Sequence, residues 1–229
     1  MIAMDIIRNY NDFVEVLLRA GFSMSYGNAE GVFCLMPWNW NDPPPYDTPV
    51  RYHTGDPDTD PWAWRIRVLT ERDDIAYGKL FFKKSGYITR EWYPYFLAAR
   101  RGGMEFAEAY ESGTISYAAK RIYDAVSAHG TLPLPAIKKI GGFAPSDKSA
   151  FDSALTELQM KMYLTICGEH EEVNWPSNVL CTTEHFFGID VFEEAASIPP
   201  EQAVEKIRER ILELNPAAAE KRINKFIRG

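Results

Sequence analysis

Residues 114–182 read TISYAAKRIYDAVSAHGTLPLPAIKKIGGFAPSDKSAFDSALTELQMKMYLTICGEHEEVNWPSNVLCT. Ile115, Ala118, Ile122 and Val126 recur at helical spacing, and the stripe stops at His129-Gly130, where glycine can adopt the conformation that ends a helix. Thr131 and Leu132 make a short extended link. Pro133 opens a short helix over LPAIKKI, which Gly141 and Gly142 stop. Ser146 has the hydroxyl to cap a longer helix carrying Phe151, Leu155, Leu158 and Met162 on one side. MYLTICG and SNVLCTT follow as two strands about a polar connection. Helix, short strand, helix, helix and hairpin is the order of a winged helix-turn-helix, in which the helix after Ser146 is the one placed in a DNA major groove. Its outward positions are expected to include Lys148, Asp152, Ser153, Thr156 and Gln159. That surface is poor in Lys and Arg, and the wing GEHEEVNWP carries Glu169, Glu171 and Glu172. Acids there face phosphate badly, so electrostatics favour packing or a protein partner over direct duplex reading.

Working outward, Asn11 is the expected cap of a first helix with Phe13, Val16, Leu17 and Ala20 on one face, closed by Gly21. GVFCLMPW (31–38) reads as a short buried strand, and the Pro-rich loop after it lets Trp38 and Trp40 cover a core edge. Asp60-Pro61 is a helix start signal, although Trp64, Ile66 and Val68 also alternate with strand period; the start signal decides for helix. Residues 76–82 read as a strand and 83–86 as its turn. Thr89 is the expected cap of a helix from Arg90 to about Arg101, with Pro94 early enough to be tolerated. Downstream, Pro199-Pro200 opens a helix with Val204, Ile207, Ile211 and Leu214 in phase. A short basic helix follows, with Ile223, Phe226 and Ile227 to bury by docking back. The expected fold is mainly α with small β-sheets (α+β) in three parts. These are a helical N-terminal region over 1–113, the winged-helix region over 114–188, and C-terminal helices over 189–229.

The 229 residues are 46% hydrophobic with a net charge of −7, which fits a folded globular chain. No long apolar run or leader pattern is apparent and the three cysteines form no CxxC, so a cytoplasmic protein with no membrane partner is expected. The charge is uneven. Residues 151–200 hold Lys161 against nine acids, whereas 61–101 hold nine cations against four acids, with aromatic residues interleaved. That interleaving is what a site for a polyanion with stackable bases requires. Arg65, Arg67, Lys83, Lys84, Arg100 and Arg101 are the expected phosphate contacts, and Trp62, Trp64, Tyr87 and Trp92 the stacking faces. The opposed reading is that the aromatics are core and the cations a solvated face. The acidic 151–200 block supports a protein partner bound through the wing.

Asp56, Asp58 and Asp60 alternate like the start of a calcium loop, but Pro61 and Arg67 stand where that loop needs glycine and a bidentate carboxylate. Cys167, His170, Cys181 and His185 are residue types that suit zinc, though both cysteines equally fit a core. No cofactor is expected, since no phosphate-binding glycine loop or nucleophile elbow is present. The acid–base candidates beside the aromatic stretch are His53, Asp58, Asp60 and Glu91. Asp60 has an alternative use as a helix cap, and Glu91 as a favourable charge at a helix start.

DPWAWRIRV (60–68), AYGKLFFKK (76–84), ITREWYPYFLAARR (88–101) and LTELQMKMYLTICG (155–168) together resemble a group of small bacterial proteins related to the AlkZ DNA glycosylases. Those enzymes are built on winged-helix units and remove alkylated or cross-linked bases. The resemblance to the small group covers most of the chain; that to the glycosylases proper is weaker and lies at the level of the winged helix. It implies a nucleic-acid-associated, repair-related role. If the chain is an enzyme, the implied reaction is N-glycosidic hydrolysis, with Asp58, Asp60 or Glu91 polarising water and a flipped base held between aromatics. The glycosylases carry a Gln-x-Gln or Gln-x-Asp motif that positions water. Here Gln159 is followed by Met160-Lys161 and Gln202 by Ala203-Val204, so no catalytic residue transfers.

Overall fold

The computed structural model of the protein describes residues 6–170 and 176–229. Helix α1 (Tyr10–Ala20) is capped by Asn9 rather than Asn11, the Asn9 side-chain oxygen accepting the Asp12 N–H at 2.9 Å. Tyr10 is thus the first helical residue, buried with its ring edge-on to Trp64. Strand β1 (Phe22–Met24) follows. Residues 31–38 do not form the expected strand. Their backbone groups are taken elsewhere: Leu35 N–H by the Ser23 hydroxyl, Val32 C=O by the Asn215 amide and Met36 C=O by the Cys34 thiol. One isolated bridge between Met24 and Cys34 remains.

Helix α2 (Pro61–Glu71) begins where Asp60-Pro61 signals, and β2 (Ile75–Phe81) and β3 (Lys84–Thr89) form a hairpin. Its turn is Phe82-Lys83, both with positive φ (53° and 63°), not the expected 83–86. No glycine marks this turn. Gly86 instead lies within β3, where a Cβ would stand 2.7 Å from the Ser23 carbonyl oxygen and 2.5 Å from the Phe81 ring. Thr89, expected as a cap, is held in the sheet by its N–H to the Gly21 carbonyl, and α3 (Tyr93–Arg101) starts later, after Trp92. Gly102, at φ 57°, ends it, and α4 (Phe106–Glu111) is short.

The next elements come in the expected order: α5 (Tyr117–His129), β4 (Thr131–Pro133), α6 (Leu134–Ile140), α7 (Lys148–Met160), β5 (Leu164–His170) and β6 (Ser177–Thr182). Ser146 does not cap α7. It sits in a 3-10 turn (Pro145–Asp147) closed by Asp147, whose carboxylate accepts the Ala144 N–H at 2.9 Å. Helices α8 (Thr183–Phe187), α9 (Asp190–Ala196), α10 (Pro200–Leu214) and α11 (Glu220–Arg228) complete the chain. The described helices include none long and apolar enough to cross a membrane.

The α+β class holds, but the expected small sheets are one: among the described residues a six-stranded antiparallel sheet runs in the order β1-β3-β2-β5-β6-β4. It crosses from the first half of the chain to the second at β2 and β5, where a single register pair, Tyr77 with Ile166, makes the seam. Gln159 of α7 reinforces that seam by accepting the Lys79 N–H at 2.9 Å while donating to the Leu155 carbonyl. Thr156 and Gln159 are therefore buried against β2 rather than turned outward, whereas Lys148, Asp152 and Ser153 are exposed as expected. Strand alternation buries both faces of the central hairpin. Ile75, Tyr77 and Tyr87 face a core with Phe13, Leu17, Trp64, Val68, Ile122 and Leu158. Ala76 and Ile88 face a second core with Phe22, Phe96, Ile207, Ile211 and Phe226.

Candidate nucleic-acid interface

The first turn of α2 organises the one surface where several of the expected contacts meet. Asp60 is buried, and its carboxylate accepts three backbone N–H groups: Trp62 at 2.8 Å, His53 at 3.0 Å and Gly55 at 2.9 Å. It caps the helix and fixes the preceding loop at once, and is enclosed too completely to meet a substrate. Helical spacing then sets Trp62 and Arg65 on the face turned away from the core residues Trp64 and Val68, with the half-buried Ile66 beside them at the core's edge. With Arg67, Glu71 and Glu169 they line an open groove of about 750 Å³. The Arg65 guanidinium lies 4.2 Å from the centre of the Trp62 ring and pairs with Glu169 of β5 at 3.1 Å. Arg67 lies over the Tyr10 ring and donates to Glu71 at 2.8 Å and to the Pro57 carbonyl at 3.0 Å. Asp58 is the expected catalytic carboxylate nearest this face; it is exposed and 4.0 Å from Arg67.

The remaining expected contacts lie elsewhere. Trp64 and Tyr87 are core rings, in contact with Phe13 from two sides, and burial pushes the Tyr87 hydroxyl pKa far up. Trp92 is buried over Gly21, where any Cβ would come within 2.3 Å of the indole. None of these three has a free face for a base. Lys83 and Lys84 stand at the β2–β3 turn. Lys84 pairs with Glu30 at 2.8 Å, and that ammonium holds the Glu30 carboxyl below the usual carboxylate range. Arg100 is spent on three carbonyls, Ile227 at 2.8 Å and Met160 and Phe226 at 2.9 Å each. Arg101 is buried and pairs with Glu184 at 3.2 Å. Glu91 lines a separate small hollow with Trp92, Lys206 and Arg210.

Glu169 is the groove residue that sequence reading assigned only to an acidic wing. Its partner Arg65 is 104 positions away, so no local pattern could announce the pair. The rest of that wing, residues 171–175, lies outside the described residues. Cys167 and Cys181 sit on adjacent strands, but among the described residues no group of three or more His, Cys, Asp or Glu side chains is arranged to hold a metal. Gln159, one of the two glutamines weighed for a glycosylase motif, has both ends of its amide occupied inside the fold.

No curated protein and no solved structure matches the chain. A family model does match, over residues 7–228, and its description is "AlkZ related". That match takes in the Asp60-Pro61 start, the central hairpin, α7 with its two strands and the docked basic helix, so this chain belongs to the AlkZ-related family and stands in a DNA glycosylase-like relationship.

Proposed function

We propose that this protein is a winged-helix member of its family that associates with nucleic acid through the α2 groove, in a repair-related role. Supporting the winged-helix reading is the order α5, β4, α6, α7, β5, β6, with β4 antiparallel to β6. The observation that carries the binding reading is the exposed Trp62 ring with the Arg65 guanidinium against it on the groove wall. An indole beside an arginine offers a stacking face and a phosphate donor within one contact. The proposal is binding, not cleavage. Asp60 is consumed by the fold, Glu71 and Glu169 are paired with arginines, and Asp58 alone among the expected carboxylates is exposed beside this groove.

Fluorescence-anisotropy titration against single-stranded, duplex and abasic-site DNA across a salt series tests it. With Arg65 and Arg67 as the phosphate contacts, the slope of log K against log salt is expected to be shallow, roughly −1.4 to −1.8 for two contacts. Trp62→Ala and Arg65→Ala should each weaken binding about tenfold, as loss of one stacking or charged contact does. Failure to bind any of the three DNAs at low salt, or binding indifferent to both substitutions, overturns the proposal. One observation favours a second reading, a protein-facing regulatory module using the acidic wing: Arg65, Arg67, Lys84, Arg90 and Arg101 are all paired with carboxylates within the fold. DNA binding absent at low salt is the outcome that reading expects.

A further inference from the structure

Tryptophan rings are normally covered, and Trp38, Trp64 and Trp92 are; Trp40 and Trp62, by contrast, remain 52% and 47% exposed. The two exposed rings are linked on one surface. The His53 imidazole lies between them, 5.8 Å from Trp40 and 5.2 Å from Trp62, centre to centre. Tyr26 continues the run beyond Trp40 at 5.2 Å, and Arg65 continues it beyond Trp62 at 4.2 Å. Neither Trp40, His53 nor Trp62 belongs to either hydrophobic core.

His53 has φ 63°, a left-handed conformation that non-glycine residues seldom adopt. It is held there by Asp60, whose buried carboxylate accepts the N–H groups of His53 and Gly55. Such strain persists only where the surroundings over-determine it, and it concentrates at functional sites. Here the strained residue is the one that closes the gap between two exposed indoles. A hollow of about 260 Å³ bordered by Trp40 and Tyr52 lies at one end, and the α2 groove with Trp62 at the other.

The charged side chains bordering this surface hydrogen-bond to neutral groups, with no surplus of cations among them. Asp56 accepts the Asp58 N–H and the Thr59 hydroxyl, Asp42 accepts from the Asn39 amide, and Arg51 donates to the Thr48 and Val50 carbonyls. A site built to neutralise a duplex backbone shows surplus cations; a stacking site does not need them. We propose that Trp40, His53 and Trp62 form a platform on which unpaired nucleobases of single-stranded DNA stack, with ring contact rather than phosphate neutralisation supplying the affinity. The inference rests on the reading of the α2 groove as a nucleic-acid interface, and names its substrate class as unpaired bases.

The test compares three probes of equal length: an oligothymidine strand, the same phosphodiester strand lacking bases, and a duplex. Binding is read by anisotropy and by quenching of intrinsic tryptophan fluorescence. The oligothymidine is expected to bind and the base-free strand not to, with less than about tenfold loss of affinity between about 50 and 200 mM salt, against the far larger loss of a multi-phosphate binder. Trp40→Ala and Trp62→Ala should each weaken binding about fivefold to a hundredfold, the range for loss of one base stack, while Trp40→Phe retains most of it. Equal binding of the base-free strand overturns the platform. So does duplex binding that depends on Trp62 but not on Trp40, which leaves the groove reading intact. Failure of all three probes to bind overturns both.

Discussion

Asp60 shows how much a single carboxylate can decide. Its sequence signal, Asp followed by Pro at a helix start, is local and was legible; the two further N–H groups it accepts, from His53 and Gly55, were not, because they depend on how the loop ahead of the helix folds back onto the carboxylate. Asp60→Ala leaves three donors without their acceptor and is expected to lower stability by about 2–3 kcal/mol, from loss of the cap and of buried hydrogen bonds. The midpoint of urea unfolding checks this. Asp60→Asn, which keeps one acceptor oxygen, should lose less. A variant that stayed as stable as the parent would return Asp60 to the set of chemically available carboxylates. Lys83 makes the opposite case. Held at φ 63° in a two-residue turn, it occupies a conformation costing a side-chain-bearing residue roughly 1–2 kcal/mol, so Lys83→Gly is expected to raise the unfolding midpoint slightly despite glycine's added chain entropy.

At the scale of elements, helix boundaries set by prolines and glycines agreed best with the sequence, as in α2, α6 and α10, because those residues act on the backbone within one turn. The β2–β3 turn was misplaced because the strongest local turn residue, Gly86, is needed for a different reason, the close approach of Ser23 and Phe81. Gly86→Ala is expected to cost about 1–3 kcal/mol, as overpacking does, read by thermal or urea unfolding. The seam between β2 and β5 depends on Gln159 for the Lys79 N–H. Gln159→Leu should therefore destabilise by about 1–3 kcal/mol, the cost of an orphaned buried donor, and speed hydrogen exchange at the Lys79 amide. Exchange at Lys79 no faster than in the parent would show that the seam does not need the glutamine. The terminal helix α11 docks as its apolar residues indicate, but only the fold reveals that Phe226 stacks on Phe81 with ring centres 3.9 Å apart. Phe226→Ala is expected to cost about 3–5 kcal/mol in the same unfolding assay.

For the whole molecule, burial of phenols gives the chain an alkaline limit. Burial pushes Tyr10 and Tyr123 up to about 12, and Tyr52, Tyr87 and Tyr93 higher still. Ordinary tyrosines in the unfolded chain titrate near 10, so above that pH the unfolded state releases protons that the folded state keeps. Their contribution to stability is complete below about pH 10 and is lost as pH rises toward the folded values; the last step of tyrosinate absorbance, that of the buried phenols, should then coincide with loss of far-UV dichroism. Complete tyrosinate formation before any loss of dichroism would contradict this. The sequence by itself determined the α+β class, the order of elements from 114 to 182, the start of α2 and the resemblance to its family, since capping, periodicity and motif identity are properties of residues close together in the chain. Only the tertiary structure decided that the two halves share one sheet, that Trp64, Tyr87 and Trp92 are core, that Arg100 and Arg101 serve the fold, and that Trp40, His53 and Trp62 meet at the surface. Those outcomes rest on contacts between residues far apart in the chain, where burial and pairing are settled by the packing of whole elements rather than by any neighbour in sequence.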